Sequence, residues 1–148
     1  MSNVADDEEY IRGTIVELRV LEGSVNLIQS RLNIIDNAID EISIANTSLE
    51  GIKNSSKDSE ILVPAGASSF VRATLSDVKK VIMGVGAGVS IEKTIENSIT
   101  DLKNRQDELG KIKSSLQTQL GQALKDLDSK RNEVSEVIRK RESGAWNN

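Results

Sequence analysis

The pattern in this sequence with the strongest claim to chemistry is Gly84-x-Gly86-x-Gly88. Closely spaced glycines can let backbone N–H groups wrap a phosphate. A dinucleotide fingerprint would need a further glycine at position 89, which is Val, and no Gly-Lys-Ser/Thr run follows. A hairpin turn explains the glycines instead, because glycine enters φ > 0 without steric cost. No ATP site is expected, so any action of the chain must be energy-independent.

There is no Cys and no His. That removes disulfides, thiolate nucleophiles, imidazole bases and nearly every zinc site. The 23 acidic residues sit among 19 lysines and arginines, as on a solvated helix face. A hydrolytic acid/base pair needs carboxylates converging in a cleft, and a pair of helices offers none. No enzyme, cofactor or metal is expected. A net charge of −4 lacks the basic face of a nucleic-acid binder. No apolar run approaches the ~18–20 residues that cross a bilayer, so no membrane partner is expected. The acidic start, Asp6-Asp7-Glu8-Glu9, is unlike a signal peptide, and a cytoplasmic location is expected.

Few residues could fill a large globular core, since aromatics make up 2% of the chain and charged residues 28%. Aliphatic residues at heptad spacing with abundant charge fit long helices. From Ile11 the apolar positions step by three and four through Thr14, Leu18, Leu21, Val25, Ile28, Leu32, Ile35, Ile39, Ile42, Asn46 and Leu49. That is a coiled-coil seam of ~5 heptads. Asp6 is expected to cap the helix, and Gly51 with the polar run after it to end it. Asn46 is either a weak spot or a register-setting group.

A second seam runs through Ile95, Ile99, Leu102, Gln106, Leu109, Ile112, Leu116, Leu120, Ala123, Leu127, Val134, Val137 and Ile138. The steps of four on both sides of Leu116 predict a stutter that locally unwinds the supercoil. With Gly110 and Gly121 nearby, each costing ~1 kcal/mol in a helix, this arm is expected to bend. Lys130 and Arg131 are expected to interrupt the seam, and Gly144 to stop the helix.

Between the helices, Glu60 to Glu92 is rich in β-branched residues and holds the only Pro and the only Phe. Four strands are expected, Ile61–Val63, Phe70–Leu75, Val81–Val85 and Val89–Ile91, with Gly- and Pro-containing breaks. They make two hairpins in series, apolar on more than one face. So small a ribbon is marginal alone, and its edges call for strands from other subunits. The fold class is therefore mainly α with a small β insert. It is an antiparallel two-helix coiled coil with two β-hairpins at one end, in a single domain over 1–148. The helices cover 7–53 and 92–143, and the hairpins 60–91.

Leu62-Val63-Pro64-x-Gly66-x-x-Ser69-Phe70 and Val85-Gly86-x-Gly88-x-x-Ile91-Glu92-Lys93, set between two coiled-coil helices, resemble the archaeal prefoldin (GimC) alpha-subunit family. The resemblance implies a heterohexamer in which two alpha and four beta-type subunits join their hairpins into a double β-barrel. It further implies non-native proteins held at the coiled-coil tips and handed to a group II chaperonin. Carried onto this chain, subunit assembly would rest on Ile61, Val63, Phe70, Val71, Leu75, Val81, Met83, Val85 and Val89. Client binding would rest on Val4, Tyr10, Ile11, Val137, Ile138 and Trp146, near the two termini. Those end residues could equally staple the two helices together. A structural or tethering coiled coil with one fixed partner fits the helices as well, but leaves the hairpins without a purpose.

Overall fold

The computed structural model describes residues 4–145. Helix α1 (Val4–Lys53) is followed by β1 (Glu60–Gly66), β2 (Ser69–Thr74), β3 (Lys80–Gly86) and β4 (Val89–Thr94), then by helix α2 (Ile95–Ala145). The chain divides into a terminal unit, Met1–Asp36 with Lys111–Asn148, and a central unit, Asn37–Gly110.

In the terminal unit the helix segments run antiparallel. Reading α1 forward pairs it with α2 read backward: Glu8 with Arg141, Glu17 with Lys130, Asp36 with Lys113. Every expected seam position of α1 is buried or half-buried from Ile11 to Leu49, in both units. On α2 the seam differs from expectation at Ile112, at Lys130 and at Ile138, the last of which is exposed. Ile112 is exposed, and Lys113 takes the inward position. The four–three rhythm then continues unbroken through Leu116, Leu120, Ala123, Leu127, Lys130, Val134 and Val137, so there is no stutter. Lysine can occupy a seam because its methylene stem lies along apolar surface while the ammonium reaches out. Lys113 Nζ reaches Asp36 at 2.6 Å, and Lys130 Nζ reaches Glu17 at 3.0 Å. Lys130 therefore carries the seam instead of breaking it. Both glycines, Gly110 and Gly121, lie inside continuous α-helix.

The start of α1 and the end of α2 also lie further out than expected. Helix α1 starts at Val4, so Asp6 and Asp7 lie within its first turn, near the positive end of the dipole. It passes Gly51 and ends at Lys53. Gly144 is likewise inside α2.

The central unit holds the main core: Ile42, Leu49, Ile95, Ile99 and Leu102, with Ile95 fully enclosed. Ser98 is equally enclosed and donates its hydroxyl to the Thr94 carbonyl, which satisfies it locally. The Asn46 Oδ1 atom is enclosed and has no partner among the described residues.

Each hairpin is its own antiparallel two-stranded sheet, β1 with β2 and β3 with β4. The two share one plan. Each has a two-residue turn, Ala67-Ser68 or Ala87-Gly88, and a register irregularity two residues before it. Both turn residues have φ > 0 in each case, the conformation whose twist suits a tight hairpin. The strands are longer than the apolar pattern indicates. β4 runs on to Thr94 because Lys80 pairs with Thr94 and Val81 with Lys93. Thr94 then caps α2, its hydroxyl accepting the Asn97 N–H at 3.2 Å. Helix α2 therefore begins at Ile95, three residues later than expected.

Candidate assembly surface and apolar helix ends

Alternation along a strand sends neighbouring side chains to opposite faces. In the second hairpin Val81 and Met83 point inward and pack on the Ile42–Leu49–Ile95–Ile99–Leu102 core. They anchor the hairpin within its own chain. Ile82, between them, is 77% exposed. Val85, Val89 and Ile91 are also exposed.

The first hairpin is freer. Ile61 is half-buried, while Leu62, Val63, Phe70 and Val71 are exposed, Phe70 at 58%. The register sets Val63 opposite Val71 on one face, and Leu62 opposite Arg72 on the other. Both faces are therefore apolar and wet. Leu75 lies just past β2. Its N–H donates to the Ser59 carbonyl at 2.9 Å, and its own carbonyl accepts the Asp58 N–H at 2.7 Å. This residue closes the base of the hairpin. Leu62, Ile82 and Ile91 belong with the exposed set; they lie inside the strands expected to carry assembly but are not among the residues singled out for it. The signal for them was present, since each sits one strand position from an expected residue on a two-faced strand.

Each two-stranded sheet leaves one border of both its strands without a strand partner among the described residues. Such borders carry free N–H and C=O groups that template further pairing. With the exposed aliphatics and Phe70, the hairpins form an unsatisfied surface of the kind that other strands cover.

Between the hairpins, Asp77 Oδ1 accepts the Lys79 N–H at 2.7 Å and the Lys80 N–H at 3.4 Å. These bonds, the Lys79 one first, hold its carboxyl below the ordinary range.

At the helix ends the expected residues separate into two groups. Ile11 and Val137 are half-buried on the seam. Val4, Tyr10 and Ile138 are exposed. Trp146 lies outside the described residues. Tyr10 donates its hydroxyl to Glu133 at 2.9 Å, and that bond raises its pKa. Lys130, held by Glu17 and drawn also to Glu133, has its pKa raised. Tyr10 thus ties the ends together and exposes ring surface as well.

No group of three or more metal-binding side chains occurs among the described residues. No described helix is long and apolar enough to cross a membrane.

Two long helices joined through paired β-hairpins define the class of two-helix coiled-coil proteins with a β insert. The sequence matches the family described as "Prefoldin subunit" over residues 21–140, and the chain belongs to that family. Its relatives include prefoldin alpha subunits. That of Methanococcus vannielii is 36% identical over 126 residues, covering 85% of this chain and 84% of the relative. That of Methanopyrus kandleri is 32% identical over 118 residues, covering 80% and 75%. Among solved structures, filamentous PFD from Methanocaldococcus jannaschii is similar in fold. Its TM-score is 0.67 at 17% identity, with 78% of this chain and 95% of that one covered.

Proposed function

We propose that this chain is the alpha-type subunit of a hetero-oligomeric, ATP-independent chaperone in the cytoplasm. Two copies would join four beta-type subunits through the hairpins. The coiled-coil ends would hold non-native proteins and pass them to a group II chaperonin. One observation carries the assembly step: Leu62, Val63, Phe70 and Val71 stand exposed on a two-stranded sheet whose borders lack partners. Strands from a neighbouring subunit would cover both the apolar faces and the free backbone groups.

Val4, Tyr10 and Ile138 support client binding at the ends, being exposed apolar groups where a helix pair opens most cheaply. Several weak ends on one assembly gain through effective concentration, so each can release its client without ATP.

Phe70→Asp tests the assembly step. Native mass spectrometry of the variant with a beta-type partner should show no hexamer, while circular dichroism of the isolated chain is unchanged. A normal hexamer would defeat the reading. Removing residues 1–11 and 137–148 tests the ends. Hexamers should still form, and suppression of aggregation of an unfolded client should weaken. Unaltered suppression would leave the ends with a stapling role only.

A further inference from the structure

The outward faces of the two helices differ in the terminal unit. On α2, Ser115, Thr118, Gln122, Lys125, Ser129 and Asn132 face away from the seam and are exposed. All are polar. On α1 the equivalent face carries Val16, Val20, Leu27 and Ile34, which are 59%, 64%, 52% and 68% exposed. Gly23 and Ser30 fill the places between them. The spacing from Val16 to Ile34 alternates four and three, the rhythm of a coiled-coil seam. Helix α1 therefore has a second seam on its back, with no helix packed on it among the described residues.

We propose that this face docks a second copy of the chain, α1 against α1, antiparallel about a two-fold axis beside Val25. Two features of the face select that partner over any other helix. The first is shape. In an antiparallel pair, the register that sets Leu27 into the gap over Gly23 of the other copy also sets Val20 opposite Ser30. Val16 then meets Ile34, and the two-fold repeats each pairing, as a self-complementary interface requires. Large groups meet small ones at Gly23 and Ser30, apolar meets apolar at Val16 and Ile34, and nothing occupies the space where a Gly23 side chain would stand. The second feature is charge. On one flank of the stripe lie Glu17 and Arg31. The same register brings Glu17 of each copy, which also holds Lys130 of its own chain, to Arg31 of the other. Arg31 has no ion-pair partner among the described residues, so it is available for that contact. The proposal is independent of the chaperone reading, because it uses α1 of the terminal unit and not the hairpins.

The test uses the full chain, which has no native Cys. Chains carrying Gly23→Cys are mixed with chains carrying Leu27→Cys under mild oxidation, and the mixed disulfide is followed by mass. At ~10 μM chain, docked thiols meet at a local concentration nearer the millimolar range, so coupling should run at least about tenfold faster than in a control. The control mixes Gln122→Cys with Lys125→Cys chains, which place the thiols on the polar face of α2. Adding Ile34→Lys to the coupled chains should return them to the control rate. Equal rates in the two mixtures, or coupling that survives Ile34→Lys, would overturn the proposal. So would thiols that an unfolded polypeptide shields but that never couple, since that result assigns the stripe to clients.

Discussion

The two hairpins have the same lengths, the same two-residue turn and the same register irregularity, yet they stand in different situations. The second is fastened. Val81 and Met83 sit on the helix core, Lys93 pairs with Asp101, and the Ile95 N–H donates to the Lys79 carbonyl at 2.9 Å. Among the described residues, the backbone hydrogen bonds that hold the first lie at its base, through Leu75 with Asp58 and Ser59. At matching positions Phe70 corresponds to Ser90, and Arg72 to Glu92. One backbone plan thus serves as an anchor in one place and as a free apolar flap in the other. Side-chain identity at a few strand positions makes the difference.

Substitution on the fastened side should have the largest effect. Val81→Asp would set a charge against Ile95 and its neighbours, at a cost of roughly 2–3 kcal/mol. Chemical denaturation of the isolated chain should show that loss. Phe70→Asp, on the free hairpin, should shift the same midpoint by less than ~0.5 kcal/mol, as exposed sites do. Equal losses from the two would erase the distinction. A smaller gain is expected at the turns. Ser68 occupies the place that Gly88 fills in the second hairpin, with φ 61 against 74. Ser68→Gly would relieve ~1–2 kcal/mol of left-handed strain against about 0.4–1 kcal/mol of added unfolded-state entropy, and so should stabilise the first hairpin by about 0.5–1 kcal/mol, measurable by amide exchange across β1 and β2.

The smallest effect concerns acid. Asp77 is held by backbone N–H groups and titrates below its ordinary 3.8. Its contribution is complete above that value and is lost as pH falls through the lower folded one. In an NMR titration, the Lys79 amide shift should move with a midpoint under 3.8, and Asp77→Asn should abolish that step. A midpoint at or above 3.8 would mean that the entry to the second hairpin is not held by this carboxylate.

Much of this was legible in the sequence. The α1 seam could be followed residue by residue from Ile11 to Leu49, because heptad spacing leaves little ambiguity over many turns. On α2 a hydrophobic pattern selected Ile112 over Lys113. Burial follows geometry there, and lysine's long stem accepts a seam position that its charge seems to forbid. β4 was drawn too short because Lys93 and Thr94 are polar, while cross-strand pairing with Val81 and Lys80 extends it. The roles of Val81 and Met83 were hidden for another reason. Both faces of the strand are apolar, and alternation alone does not say which face meets the helices.

The two seam lysines limit how the helices can align. Lys113 answers to Asp36 and Lys130 to Glu17. A slide of one heptad keeps the aliphatic stripes in contact but sends Lys113 toward Gln29 or Ser43, and Lys130 toward Tyr10 or Ser24. Both ammonium groups would then lose their cross-helix carboxylates together. Grease alone would tolerate several alignments of these rods, and a pair of misplaced cations rejects all but one.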